Sequence, residues 1–376
     1  MDAIRLINKL QVYYRDQLVG VLGRTPDNTR CTFEYDKEWL VKGFSISPLE
    51  LPLQTGIFVA EPTPFYGNFG IFEDSLPDGY GRFLLNRLLQ KRGIDELSLT
   101  PLQRLAIVGS SGMGALRYEP QVLEMEAYVL PELHTMQQMA LEVLAEKTTE
   151  GADTLYMSSG NSGGCRPKCL YRDDEGQWLV KFRHTYDPID MGREEFRYNQ
   201  LAKACGIEIA ECKLLENTYF ASKRFDISGD GQPLHVATAA ALLNENINPP
   251  KTDYKVLLAL TGFLTQSPSA VEQMFRRMVF NVLIENKDDH AKNFSFVHLE
   301  EGWCLAPAYD LTRCAQGYNG EHATSVMGNG SPSKEDMLAA AESIRIPRAI
   351  AVEIIKEIEN ILSTSAQHLP NLCCMS

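Results

Sequence analysis

Over the first 60 or so residues, apolar and polar positions alternate in short runs such as "LQVYYRDQLVGVLG" (10–23) and "FSISP" (44–48), broken by Asn, Asp, Gly and Pro. A period of two between such breakers predicts strands joined by tight turns. In "LPDGYGRFLLNRLLQKRGI" (76–94) the period changes: Leu84, Leu85, Leu88 and Leu89 fall on one face of a helix that should end near Gly93. A glycine-rich segment, "VGSSGMGALRYEP" (108–120), then leads into a helix around Leu133 to Glu146. Strands return in "CLYRDDEGQWLVKFRH" (169–184), two of them around an Asp-Asp-Glu-Gly turn, and in "CKLLENTYFASKRFD" (212–226). Between them, "GREEFRYNQLAKACGI" (192–207) predicts a helix with Phe196, Leu201 and Ala202 inward and a terminal glycine. Beyond about residue 235 the pattern is helical, near 254–264, 268–285, 334–343 and 347–364. Strands first and helices after predict an α+β chain of two lobes. Three parts are expected: a small, mainly β N-terminal domain over 1–120, a second strand-bearing part over 121–235, and an all-helical C-terminal lobe over 236–376.

Composition changes this picture little. At 376 residues, with 44% apolar and 23% charged residues, the chain can bury two or three cores without disulfides. Nine cysteines in no regular framework point to a reducing compartment. Cys165 and Cys169 have a zinc-like spacing but no second Cys/His pair to complete a site. A net charge of −13 opposes nonspecific binding to nucleic acid or to an anionic membrane. No leader pattern opens the sequence and no run of eighteen apolar residues occurs, so the expectation is a soluble, cytoplasmic protein with no membrane partner.

Two clusters carry candidate chemistry. Lys181 lies between apolar neighbours in "QWLVKF", where it must either reach a sheet edge or hold an anion. Upstream, "SSGNSGGCRPK" (158–168) contains Gly160, Gly163 and Gly164, which let the backbone curl with its N–H groups toward a phosphate. Downstream, Glu195 sits in a predicted helix, where it could pair with Lys181. Glycine loop, strand lysine and helix glutamate, in that order, are the phosphate-gripping parts of a protein-kinase-like fold. In the second cluster, "DDHAKN" (288–293), Asp288 precedes Asn293 by five residues, the interval between a kinase's catalytic aspartate and its metal-binding asparagine. Asp310 in "APAYDLT", seventeen positions further, is a candidate second carboxylate for Mg²⁺, which takes hard oxygen ligands and keeps several waters. The bland alternatives are an edge-strand lysine, an Asx-rich helix cap and a transition-metal site on His290, and Asp289 rivals Asp288 as the base.

These segments resemble the HipA-like serine/threonine kinases of bacterial toxin–antitoxin systems over nearly the whole chain. "FNVLIENKDDHAKNFSF" with "LAPAYDLT" is similar to that family's catalytic and metal-binding segments, "GGCRPK" to its phosphate loop and "WLVKF" to the strand with its ATP lysine. "EEFRYNQLAKACGI" resembles the helix that bears the lysine's partner, and "SKRFD" the segment that receives adenine and ribose. "FSISPLELPL", "FEDSLPDGYGRFLL" and "VGSSGMGAL" look like the small domain that precedes the kinase core. The resemblance implies an ATP site with Gly160, Ser162, Gly163, Gly164, Lys168, Lys181, Lys223, Phe225 and Asp226, the last near the ribose. It also implies Asp288 as base, Lys181 with Glu195 on the phosphates, and Asn293 with Asp310 on magnesium. Implied too are a protein substrate such as an aminoacyl-tRNA synthetase, and a small helix-turn-helix antitoxin through which alone the chain would meet DNA. Self-phosphorylation of a loop serine is a further implication, with Ser158, Ser159 and Ser162 as candidates; the position counted back from Lys168 holds Asn161. The rival functions are a catalytically silent kinase fold acting with a DNA-binding partner as co-repressor, and a small-molecule phosphotransferase.

Overall fold

The computed structural model describes residues 7–112, 114–123, 130–159 and 163–368. The chain packs as two compact units. One holds the residues up to Gly192, Lys213–Ala237 and Ala241–Asn244; the other holds Arg193–Cys212, Thr238–Ala240 and the chain from Glu245 on.

In the first unit, β1 (Leu10–Tyr14), β2 (Gln17–Arg24), β3 (Cys31–Tyr35), β4 (Ile57–Val59) and β5 (Leu116–Glu119) form a sheet in the order β4-β3-β2-β1-β5. The pairs β1/β2, β1/β5, β2/β3 and β3/β4 are antiparallel. Alternation sets the register: Leu10 and Val12 are buried, Leu10 opposite Leu22 and Val12 opposite Tyr118. The strand expected at "FSISP" does not form. There the backbone is bound to a side chain instead, because Tyr35 Oη accepts from the Ile46 N–H (3.2 Å) and donates to the Leu51 carbonyl (2.7 Å), leaving one bridge, Ser47 to Leu51.

Helices α1 (Lys37–Lys42), α2 (Gly70–Glu73), α3 (Gly79–Lys91), α4 (Pro101–Val108), α5 (Leu133–Leu144) and α6 (Ala152–Ser159) complete this part of the chain. A second sheet has the order β6-β7-β9-β8, from β6 (Lys168–Asp173), β7 (Gly176–Lys181), β8 (Cys212–Leu215) and β9 (Tyr219–Lys223). Leu84, Leu85, Leu88 and Leu89 of α3 share one core with Met136 and Val143 of α5, Leu155 and Tyr156 of α6, and Trp178, Val180 and Ala221 of the second sheet. Each of those leucines contributes roughly 2 kcal/mol of burial. Packing therefore joins segments on both sides of residue 120 into one unit, through the face predicted by the leucine spacing.

In the second unit, α7 (Met191–Ala204) buries Glu195, Tyr198, Asn199 and Ala202, spaced i, i+3, i+4, i+7, whereas Phe196 and Leu201 are half-buried. The chain crosses between units at β10 (His235–Thr238) and the short α8 (Ala239–Leu242). Next come α9 (Tyr254–Thr265), capped by the Asp253 carboxylate, and α10 (Pro268–Leu283), capped by Ser267 with Pro268 in the first turn. After α11 (Lys334–Ser343), α12 (Arg348–His368) closes the unit. The expectation of an all-helical lobe is corrected in one respect: β11 (Ser295–Leu299) and β12 (Gly302–Leu305) form an antiparallel hairpin between α10 and α11. Its turn closes at Gly302, whose φ of +118° is open to glycine. No helix of the described residues is long and apolar enough to cross a membrane.

Candidate active site

The second unit builds its polar cluster from the end of α10. The helix caps at Ile284, and Glu285 takes φ +55°, so the chain leaves the axis into the segment 285–294. There the two adjacent aspartates part. The Asp289 side chain is fully buried and its carboxylate accepts three hydrogen bonds: from Tyr254 Oη (2.8 Å), His322 Nδ1 (3.0 Å) and the Thr324 N–H (3.2 Å). Its backbone carbonyl takes the Thr324 hydroxyl. Burial, with that carboxylate beside it, pushes the Tyr254 phenol well above its ordinary range, so the phenol remains a donor. The Asp288 side chain is 62% exposed, with His290 Nε2 3.9 Å away. Asn293, on the short 3₁₀ turn Ala291–Asn293, donates from Nδ2 to the Asp288 carbonyl (2.8 Å). That bond leaves the hard oxygen Oδ1 as the atom a cation could take.

Buried amides carry the same network to Asp310. Asn281 Nδ2 donates to Tyr254 Oη (3.0 Å), and Asn286 Nδ2 donates both to Asn281 Oδ1 (3.0 Å) and to the Asp310 carbonyl (3.1 Å). Asp310 has φ +55°, a left-handed conformation that aspartate tolerates better than most residues. One residue earlier, Tyr309 Oη donates to the Lys292 carbonyl (2.7 Å) and lies 2.6 Å from Ser295 Oγ. The segment bearing Asp288 and the turn bearing Asp310 are thus tied by two sets of hydrogen bonds. The amides and Tyr309 escaped the sequence reading; Asn281 and Asn286, polar positions in the apolar run "NVLIEN", were the available signal.

In the first unit, Lys181 ends β7 half-buried, with Nζ 5.7 Å from the Phe220 ring centroid, and is paired in register with Lys168 of β6. Lys168 is buried and donates to the Gly163 carbonyl. Gly160, Asn161 and Ser162 lie outside the described residues. Arg166, where the loop leaves, grips Asp187 through Nε (2.8 Å) and Nη2 (3.1 Å). Asp226 is buried and both its oxygens are held by Arg224 (2.9 and 2.6 Å), while Lys223 stands 5.6 Å over Trp178 and Phe225 is half-buried. Ser158 and Ser159 are fully buried on α6, their hydroxyls donating to the carbonyls of Leu155 and Tyr156. Glu195 is buried on α7 of the second unit. Cys165 is exposed, whereas Cys169 lies in the core with its thiol pushed up to about 12 by burial, so the zinc-like spacing is split between surface and interior. Among the described residues no three His, Cys, Asp or Glu side chains converge.

The family model of the HipA-like C-terminal domain matches residues 160–365, and that of the HipA N-terminal domain matches residues 10–119. The chain belongs to the HipA-like family. Among similar proteins, the serine/threonine-protein kinase toxin HipA of Shewanella oneidensis is 23% identical over 343 residues, covering 80% of this chain and 74% of the relative. A putative kinase, Y4dM, of Sinorhizobium fredii is 24% identical over 206 residues, covering 48% of this chain and 49% of that relative, about half its length. In the solved complex of HipA, HipB and operator DNA from Shewanella oneidensis MR-1, a chain superposes with a TM-score of 0.71 at 18% identity, over 98% of this chain and 92% of that one. The HipA-like fold therefore spans this chain almost from end to end.

Proposed function

We propose that this HipA-like chain is an ATP-dependent serine/threonine-protein kinase, the toxin of a toxin–antitoxin pair. The observation that carries the reading is the division of labour between neighbours: Asp289 is sunk in a saturated hydrogen-bond network, and Asp288 is held at the surface beside Asn293. A base must be exposed to its substrate yet held in place, and burying its neighbour does both. Asp288 would take the proton from the attacking hydroxyl. Lys181 would hold the α- and β-phosphates, with Glu195 orienting its ammonium. Gly163, Gly164 and Lys168 would line the phosphate loop, and Lys223 to Asp226 the nucleoside end. Asn293 Oδ1 and the Asp310 carboxylate are hard oxygens, the donor set that Mg²⁺ accepts when phosphates and water supply the remainder. Bound there, the ion would neutralise phosphate charge.

The partners follow from the family and the charge. The relative from Shewanella oneidensis is named a kinase toxin, and a solved relative is found with HipB and operator DNA. A net charge of −13 gives this chain no general attraction to DNA, so contact through a small helix-turn-helix antitoxin is the arrangement proposed. The substrate proposed is a translation protein of the aminoacyl-tRNA synthetase class. Incubation of the purified protein with γ-labelled ATP, Mg²⁺ and cell lysate tests the reading. Wild type should label protein serine or threonine, and Asp288→Asn, folded normally, should not. Equal labelling by the variant would remove Asp288 from its role. Nucleotide binding with no labelling by either protein would favour the silent co-repressor.

A further inference from the structure

The glycine-rich loop is held by a residue far from it in sequence. Asp78 is the N-cap of α3, with the extended backbone of a cap (φ −121°, ψ 175°), yet its side chain makes no capping hydrogen bond to the helix. Aspartate at that position ordinarily accepts from the second or third helical N–H. Here Oδ1 accepts the Gly164 N–H at 2.7 Å instead. The Gly164 carbonyl in turn accepts the Tyr80 N–H at 3.0 Å, so both backbone polar groups of Gly164 are taken by the tripeptide Asp78–Gly79–Tyr80. The approach is too close for side chains. A Cβ on Gly79 (φ +44°) would stand 2.4 Å from the Gly164 oxygen, and one on Gly163 would stand 3.2 Å from Asp78 Oδ1. The tripeptide cannot yield easily, because Tyr80, Leu84 and Leu85 of the same helix are buried in the core they share with Trp178.

We propose that Asp78 is a positioning residue for the nucleotide: it clamps the C-terminal end of the phosphate loop through Gly164. This rests on the nucleotide-binding reading of the loop. The Asp78 side chain reaches the Gly164 N–H across a gap that a shorter capping side chain would not span. By engaging the Gly164 N–H it takes that amide out of the set available to phosphate and fixes the direction in which the loop leaves toward Lys168. With Lys168 on the Gly163 carbonyl and Arg166 on Asp187, this end of the loop is held on three sides.

Three substitutions separate the clamp from helix capping. Asp78→Ser supplies an excellent cap with a shorter side chain that cannot span to Gly164. Asp78→Asn keeps an acceptor oxygen but loses the charge, and Asp78→Ala removes both functions. The full-length protein is assayed for KM and kcat with ATP, and for hydrogen exchange in peptides covering residues 163–168, after circular dichroism and thermal unfolding establish that each variant is folded. Asp78→Ser should raise KM for ATP about tenfold, the scale of one lost charge-assisted hydrogen bond, with kcat within about twofold and faster exchange in those peptides. Asp78→Asn should recover most of both, and Asp78→Ala should match Asp78→Ser. Wild-type KM and exchange in Asp78→Ser would overturn the proposal. If wild type bound no nucleotide, the functional reading and the nucleotide role of Asp78 would fall together. The exchange comparison would still decide whether the clamp exists.

Discussion

Replacing Asp289 by alanine should be among the most damaging single substitutions in the second unit, and replacing its neighbour Asp288 by asparagine among the least. The Asp289 side chain has no exposure and receives Tyr254 Oη, His322 Nδ1 and the Thr324 N–H, all of them buried groups. Asp289→Ala strands three donors. At about 1–3 kcal/mol for each buried group left without a partner, partly offset by the desolvation that the carboxylate no longer suffers, the loss is about 3–6 kcal/mol. That corresponds to a fall in unfolding temperature on the order of 10 °C for a domain of this size. The Asp288 side chain is 62% exposed, and Asp288→Asn should change stability by no more than about 0.5 kcal/mol. Thermal unfolding followed by circular dichroism, with labelled-ATP transfer measured on the same preparations, separates the two. Asp288→Asn should lose transfer with an unchanged melting curve, and Asp289→Ala should lose both. A loss under about 1 kcal/mol for Asp289→Ala would refute the network as the support of this segment. So would an equal loss for both variants.

Two further outcomes follow from buried groups. Burial raises the Glu50 carboxyl to about 7, while its Oε2 accepts the Gly70 N–H at 3.0 Å. Because the folded value lies above the unfolded one, the stability contributed by the protonated form is complete below the unfolded value and is lost as pH rises through about 7. Glu50→Gln should therefore melt at a higher temperature than wild type on the alkaline side of that window and show no advantage well below it; curves with the same pH dependence would contradict this. Self-phosphorylation, mapped by mass spectrometry after incubation with ATP, should fall on neither Ser158 nor Ser159, whose hydroxyls are buried on α6, and Ser158→Ala and Ser159→Ala should leave any label unchanged. Label on either serine would mean that α6 unwinds during turnover.

Much of this protein is legible locally. Leu84 to Leu89 mark α3 and its buried face, the Asp-Asp-Glu-Gly turn marks the β6/β7 hairpin, and the five-residue interval from Asp288 to Asn293 marks the segment on which the functional reading rests. These are short-range properties: helical and strand periods, turn chemistry and motif spacing act between residues close along the chain, so the order of amino acids suffices to determine them. Tertiary structure decided what depends on partners distant in sequence. Whether Asp288 or Asp289 is the accessible carboxylate cannot follow from "DDH" alone, because the answer lies in Tyr254, His322 and Thr324, which bury one of the two. "FSISP" is strand-like by alternation and irregular in fact because side chains take its backbone groups, Tyr35 Oη the Ile46 N–H and Trp39 Nε1 the Phe44 carbonyl. Asp78, at the N-cap position of α3, is turned to a glycine 86 positions away. In each case a buried or closely approached polar group must find a partner, and only the folded chain determines which one is within reach.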